Sequence, residues 1–247
     1  MLKIVQIIKN FLLLFPVSLV LYPFRKFFLF SSYLTELNMW ILKNKKELII
    51  KSPLKLTRDY SLRYELYDQV KNHYQLEQSK VSYLEFGVAA GFSFKWWLER
   101  NKNEQSFFAG FDTFEGLPED WGMHFKKGSM SNAIPEISDK RGLFFKGLFQ
   151  NTLPGFIERY SEQIKNAEIR IIHCDADLYS ATIFVLSQLY PLLKKGDIIL
   201  FDEFNVPMHE FKAFKEFTEN FYIRLKPIAQ VNTFYQVAFL VEEVNMA

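Results

Sequence analysis

Beyond residue 56 the chain alternates between two kinds of segment. Short apolar runs end in glycine or acid: Val81-Ser-Tyr-Leu-Glu85-Phe-Gly87, Phe107-Phe-Ala-Gly-Phe-Asp112, Leu143-Phe-Phe-Lys146-Gly147, Ile171-Ile-His173-Cys174-Asp175 and Ile198-Ile-Leu-Phe-Asp202. Continuous runs of this length read as strands buried on both faces. Longer stretches at 57–79, 92–101, 155–165, 180–194 and 208–220 carry apolar residues at helical spacing. The alternation predicts an α/β fold, a parallel sheet with helices on both faces. The last two strands, 222–227 and 234–241, are joined by a short loop. They read as a hairpin, which makes one strand antiparallel.

The first fifty residues break this pattern. Residues 11–24 are almost wholly apolar, and the uncharged run between Lys9 and Arg25 is 15 residues long. A spanning helix wants about 20 residues, and Pro16 and Pro23 interrupt this one. No small-residue cleavage pattern of a secretory signal follows. Lys43, Lys45, Lys46, Lys51 and Lys55 come after it. The organisation expected is an N-terminal helical arm over 1–55 and a catalytic-type domain over 56–247. The arm either packs on the domain or a second subunit, as in a homodimer, or makes peripheral contact with a membrane surface.

Composition narrows the class. The 247 residues are 49% hydrophobic and 17% aromatic, with 27 Phe, so a filled core is within reach and disorder is not expected. A net charge of +2 implies no nucleic-acid field. The single Cys174 excludes an internal disulfide and a cysteine-rich zinc site. It suits a reducing, cytoplasmic setting, at the inner membrane face if the arm touches lipid.

Chemistry concentrates at the strand ends. Asp202 follows Asp175 by 27 residues, room for one helix between parallel neighbours. Carboxylates at the carboxyl ends of adjacent strands meet on the edge where such sheets bind ligands. They repel, so they need a proton or a cation between them, and hard oxygen ligands suit Mg²⁺. At the first strand-to-helix turn, Glu85-Phe-Gly87-Val-Ala-Ala-Gly91 allows close approach of a ligand to backbone. Asp112, 21 residues beyond Gly91, ends the next strand, where an acid accepts from ribose hydroxyls. The 113–132 loop is long enough to be a lid or binding loop, with Trp121 and Phe125 as its apolar element.

Four motifs resemble one family. Phe111-Asp112-Thr113-Phe114-Glu115-Gly116-Leu117-Pro118-Glu119, the segment from Phe145-Lys146-Gly147 to Leu153-Pro154, Asp175-Ala176-Asp177-Leu178-Tyr179-Ser180-Ala181-Thr182, and Asp202-Glu203-Phe204 occur in the order seen in class I S-adenosylmethionine-dependent O-methyltransferases of the macrocin O-methyltransferase (TylF/MycF-like) type. The resemblance runs from about Arg58 to the C-terminus and leaves out the apolar arm. It implies a seven-stranded Rossmann-like sheet with a reversed last hairpin. Glu85, Gly87 and Gly91 would then hold the methionine part of the methyl donor, Asp112 with Thr113 the ribose, and Lys146-Gly147-Leu148 would border the adenine. Asp175, Asp202 and Glu203 would hold Mg²⁺. The chain departs from the family pattern in Glu203 for the second Asp, Asn151 for an Asp, and Lys195-Gly196 for Gly-Gly.

The expected reaction is methyl transfer to a hydroxyl of a sugar, glycan precursor or secondary metabolite, with Asp175 as general base. His209, at the start of the helix after Asp202, and His124, in the long loop, could touch the acceptor. Asp177 is expected to cap the following helix, His173 to be a hydrogen-bonded core residue, and Cys174 to be buried and inert. Rival readings are a glycosyltransferase using Asp175-Ala176-Asp177 as a D-x-D motif, a non-catalytic nucleoside-binding module, and a dehydrogenase lacking the usual glycine spacing.

Overall fold

The computed structural model describes all residues except 1, 16, 51, 53–56, 122–124, 246 and 247. Pro16, Lys51, Lys55 and His124, which carry expectations above, lie outside the described residues. The runs ending in glycine or acid form β1 (Val81–Phe86), β2 (Phe107–Asp112), β3 (Gly142–Lys146), β4 (Ile169–Cys174) and β5 (Ile198–Phe201). β6 (Ile223–Val231) and β7 (Gln236–Val244) complete a seven-stranded sheet in the order β3-β2-β1-β4-β5-β7-β6. β1 to β5 are parallel, and β7 runs antiparallel to both β5 and β6. The chain winds outward in opposite directions from β1 and β4. A crevice therefore opens at their carboxyl ends, where the connecting turns part to opposite sides.

Alternate strand residues feed two cores. Tyr83, Phe108, Ile171 and Leu200 point to α4 (Leu62–His73) and α5 (Phe92–Arg100). Phe86, Phe111, Ile172 and Phe201 point to α6 (Phe149–Lys165), α7 (Tyr179–Leu189) and α8 (Glu210–Asn220). At the amino end of β4 and β5, Arg170 and Asp197 form a fully buried ion pair, Nε to Oδ2 at 2.7 Å. Asp197 also accepts from the Arg170 and Lys194 backbone N–H groups.

Several boundaries differ from the sequence reading, and three of them have a plain physical reason or consequence. α6 begins at Phe149, not 155: Pro154 sits in its second turn and forfeits one backbone bond without ending the helix. β6 continues past Pro227 to Val231 because it is the sheet's edge strand, where a missing N–H is tolerated. Its outer edge receives Ile50, whose N–H donates to the Ile228 carbonyl at 2.9 Å. The helix expected over 57–79 is confined to Leu62–His73.

The N-terminal segment is helical: α1 (Leu2–Leu14), short α2 (Val17–Leu21) and α3 (Arg25–Asn44). Its two ends behave differently. No residue of α1 is buried, whereas Leu37 and Leu48 join the domain core. Trp40 of α3 lies 5.0–6.1 Å, ring to ring, from Phe204, Phe214, Phe234 and Phe239.

Candidate active site

The turn after β1 is built from left-handed backbone. Gly87 (φ 95°), Ala89 (φ 47°) and Gly91 (φ 76°) fold it into the start of α5. A Cβ on Gly87 would run into the Asp175 carbonyl oxygen, so glycine is needed here to let β1 and β4 end side by side. A Cβ on Gly91 would press on the Pro135 ring. Asp112 braces the turn from the next strand: Oδ2 accepts from the Val88 and Ala89 N–H groups, both at 2.8 Å. Its Oδ1 accepts from Phe114 N–H at 2.8 Å. Asp112 thus orders two loops, and it lines the crevice.

At the ends of β4 and β5, Asp175 and Asp202 converge as expected, and a cation stands with them. It is Arg63, from the first turn of α4. Its Nη2 donates to Asp202 Oδ2 at 2.7 Å, and its Nη1 lies 4.0 Å from Asp175 Oδ2. Burial would lower the guanidinium's pKa, but the Asp202 and Asp175 charges more than reverse that and raise it. Burial also raises the proton affinity of Asp202, against the pull of Arg63. Asp175 is pushed well above the carboxylate range by burial and by Asp202.

Glu203 is turned partly away. Its Oε1 accepts from Tyr235 O–H at 3.0 Å, and its backbone N–H donates to Glu210 at 2.9 Å. The donor atoms that fall within 4.8 Å of one another belong to His173, Asp175 and Asp202 rather than to the expected trio. The chemistry of the cluster nevertheless suits a hard cation. Asp202 Oδ1 and Glu203 Oε2 are buried without a hydrogen-bond partner, and burial with neighbouring acids holds Glu203 well above its usual range.

Beneath the floor lies a sealed polar cluster. Tyr83 O–H donates to Glu85 Oε2 at 2.6 Å and also lies 2.8 Å from His173 Nδ1. Tyr67 O–H is 3.3 Å from His173 Nε2. His173 is therefore the hydrogen-bonded core histidine anticipated, kept neutral by burial, which lowers its pKa to about 3. Burial raises Glu85 to about 8. Cys174 is buried and its thiol pKa is driven up, in keeping with an inert role. Asp177 does not cap α7. The cap position is Leu178, and Asp177 occupies a tight left-handed turn (φ 59°) closed by Leu178 N–H to the Ala176 carbonyl. Burial lifts the Asp177 carboxyl to about 7.

A cavity of about 390 Å³ joins these parts. Gly87, Asp112, Thr113, Leu148, Asp175, Asp202 and Glu203 line it, as do Trp121 and Phe125, whose rings stack 5.0 Å apart. Glu85, Gly91, Lys146, Gly147 and His209 do not line it. Glu85 is sealed below. Lys146 reaches outward to Glu115, with 2.9 Å between Nζ and Oε1. Gly147 supplies a backbone bond to the Asp112 carbonyl. His209 precedes α8 half-buried behind the Asp177 turn, and burial lowers its pKa.

Four lining residues were not anticipated: Arg58, Tyr60, Arg63 and Tyr235. The Arg58 guanidinium lies 3.7 Å above the Tyr235 ring. The one sequence signal for them was the general need of clustered acids for a cation; which basic residue supplies it depends on how α4 docks.

Sheet order, reversed hairpin and crevice together define a Rossmann-like methyltransferase fold. Residues 84–204 match the family model described as a methyltransferase domain. Among solved structures the chain is similar to CalS11, a calicheamicin methyltransferase, at 20% identity over 85% of this chain and 91% of that one, with a TM-score of 0.56. It is also similar to the O-methyltransferase NovP, at 19% identity over 74% of this chain and 79% of that one, with a TM-score of 0.51. No curated protein matches the sequence significantly. At these identities the two structures speak for the fold.

Proposed function

We propose that this chain is an S-adenosylmethionine-dependent O-methyltransferase, of the macrocin type its motifs resemble, acting on a hydroxyl of a sugar, glycan precursor or other secondary metabolite. The observation that carries the reading is one cavity lined on one side by the Gly87–Ala89 turn with Asp112 and on the other by Asp175, Asp202 and Glu203. The methyl donor supplies a carbon on a positively charged sulfur, and the reaction is an in-line displacement that needs alignment and exclusion of water. Leu117, Trp121, Phe125 and Met130 give the cavity an apolar wall for that purpose.

Asp175 is the proton acceptor. Its carboxyl lines the cavity; burial and then the Asp202 charge raise its affinity for a proton, while Arg63 opposes them and favours the ionised form that accepts one. As the acceptor oxygen bonds to the methyl carbon, its hydrogen passes to Asp175 and the carbon–sulfur bond breaks. Arg63 donates to Asp202 beside it and opposes the burial that raises the proton affinity of that carboxyl. Asp175, Asp202 and Glu203 would hold Mg²⁺, which stabilises a developing alkoxide.

Thermal shift tests the reading. S-adenosylhomocysteine should raise the melting temperature by mass action, by several degrees at about 100-fold over Kd. UDP-sugars and NAD should not. Asp175→Asn should keep that shift and lose methyl transfer. Stabilisation by a UDP-sugar without any response to S-adenosylhomocysteine would turn the assignment to a glycosyltransferase.

A further inference from the structure

Most of the large hydrophobic side chains exposed among the described residues fall within residues 2–30. In α1 the polar residues keep to one side. At 100° per residue, Lys3, Gln6, Lys9 and Asn10 share one flank with Leu2 and Leu13, while Ile4, Ile8, Phe11, Leu12 and, one residue past the helix, Phe15 share the other. Each of those five apolar side chains is more than half exposed. No single described helix is long and apolar enough to cross a membrane; α1 and the 18–44 stretch reach that length and composition only as a pair bent by 63°. The charge is one-sided too. Lys3, Lys9, Arg25 and Lys26 are the only charged residues before Glu36. With the whole chain at +2, those four cations leave the remainder at −2. A polar stripe of lysines above an unpartnered apolar flank suits the interface of an anionic bilayer.

The root of the arm sets the direction. Lys43 and Trp40 border a groove with Thr218, Glu219 and Ile223, toward the carboxyl end of α8. Tyr33, further back along α3, donates to Glu216, which also accepts from Tyr179 O–H. Tyr179 opens α7, and its neighbours Ser180 and Ala181 line the cavity. α3 therefore climbs toward the cavity end of the sheet as it runs back to its amino terminus. Eight residues at 1.5 Å each carry Arg25 about 12 Å past Tyr33. The amino end of α3 and the cavity belong to the same end of the molecule.

We propose that α1 and the start of α3 seat this chain on an anionic lipid bilayer, α1 lying in the interface plane, with the cavity turned toward the lipid. The part about orientation rests on the methyltransferase reading and deepens it: the acceptor hydroxyl belongs to an amphiphile held in the bilayer, such as a lipid-linked sugar.

Co-sedimentation of the full chain with vesicles tests the docking. Phosphatidylcholine vesicles containing phosphatidylglycerol should pellet it on the order of tenfold or more better than phosphatidylcholine alone, given four basic residues near the surface. Ile8→Asp combined with Phe11→Asp should abolish pelleting. Both positions are exposed, so an unchanged melting temperature shows the fold intact. For orientation, brominated phosphatidylcholine mixed into the anionic vesicles should quench the full chain more than its Trp121→Phe variant.

A chain that stays in the supernatant with both vesicles overturns the proposal. So does a lipid-free dimer that the Ile8→Asp/Phe11→Asp pair dissociates, since a second copy would then cover the apolar flank. Pelleting with no Trp121 component in the quenching overturns the orientation. Pelleting without any S-adenosylhomocysteine shift would instead sink the methyltransferase reading and leave the docking standing.

Discussion

Arg63 is the cation that meets the acidic strand ends, and Arg63→Ala measures its worth. At an effective dielectric of about 20, a unit charge pair at the 2.7 Å separation from Asp202 is worth about 6 kcal/mol, and at the 4.0 Å separation from Asp175 about 4 kcal/mol. These are gross energies. Desolvation of the arginine offsets much of them, and breaking a buried pair from one side costs about 3–5 kcal/mol net. Arg63 keeps 19% of its side chain exposed and borders an open cavity, so the lower end applies, about 3 kcal/mol. For a chain of this size that is a fall in Tm of about 6–12 °C. A double-mutant cycle in thermal or urea unfolding with Asp202→Asn isolates the pair, and the coupling should be about 2 kcal/mol. Mg²⁺ should raise the Tm of Arg63→Ala more than that of the unsubstituted protein, because the carboxylates then lack their resident cation. A coupling below about 0.5 kcal/mol would show that the two side chains do not meet in solution, and the reasoning would fail.

Two further outcomes follow from buried groups away from the cavity. Glu85 has a folded-state pKa raised from 4.5 to about 8, chiefly by burial, with Tyr83 O–H as its hydrogen-bond partner and neutral His173 nearby. The folded state thus holds a proton that the unfolded chain releases above pH 4.5, so this contribution is complete at low pH and is lost as pH rises through 8. Melting curves at pH 5 and pH 9 should show Glu85→Gln gaining on the unsubstituted protein at the higher pH, and parallel pH profiles would contradict the assignment. Asp197→Ala strands the buried Arg170 guanidinium and should cost about 3–5 kcal/mol, read as a lower urea midpoint; a loss under about 1 kcal/mol would mean that water reaches the pair.

The parallel strands were legible because their signal is local: a buried strand is an uninterrupted apolar run, and each ends where the chain meets the crevice. The convergence of Asp175 and Asp202 followed from strand spacing alone. Other features depend on tertiary packing. Arg63 is 139 residues from Asp202, and nothing in its helix marks it as the partner. Glu85 reads as a ligand residue at a strand end, yet its side chain turns beneath the floor and bonds to Tyr83 two residues earlier on the same face. The glycines of the turn invite a ligand-based explanation, whereas Gly87 answers first to the Asp175 carbonyl. Pro154 and Pro227 read as stops, but one spares a helix by its place in an early turn and the other a strand by its place on the sheet's rim.

Trp40 also bears on how this protein can be shortened. Its indole is wedged among four phenylalanines drawn from the loop after β5, α8, the β6–β7 turn and β7. A version trimmed to begin at the motif-bearing region would lose a core side chain along with the greasy leader, and would expose Phe204, the residue next to Glu203. The natural cut lies ahead of α3, so solubility can be gained there without hollowing out the wall behind the acids.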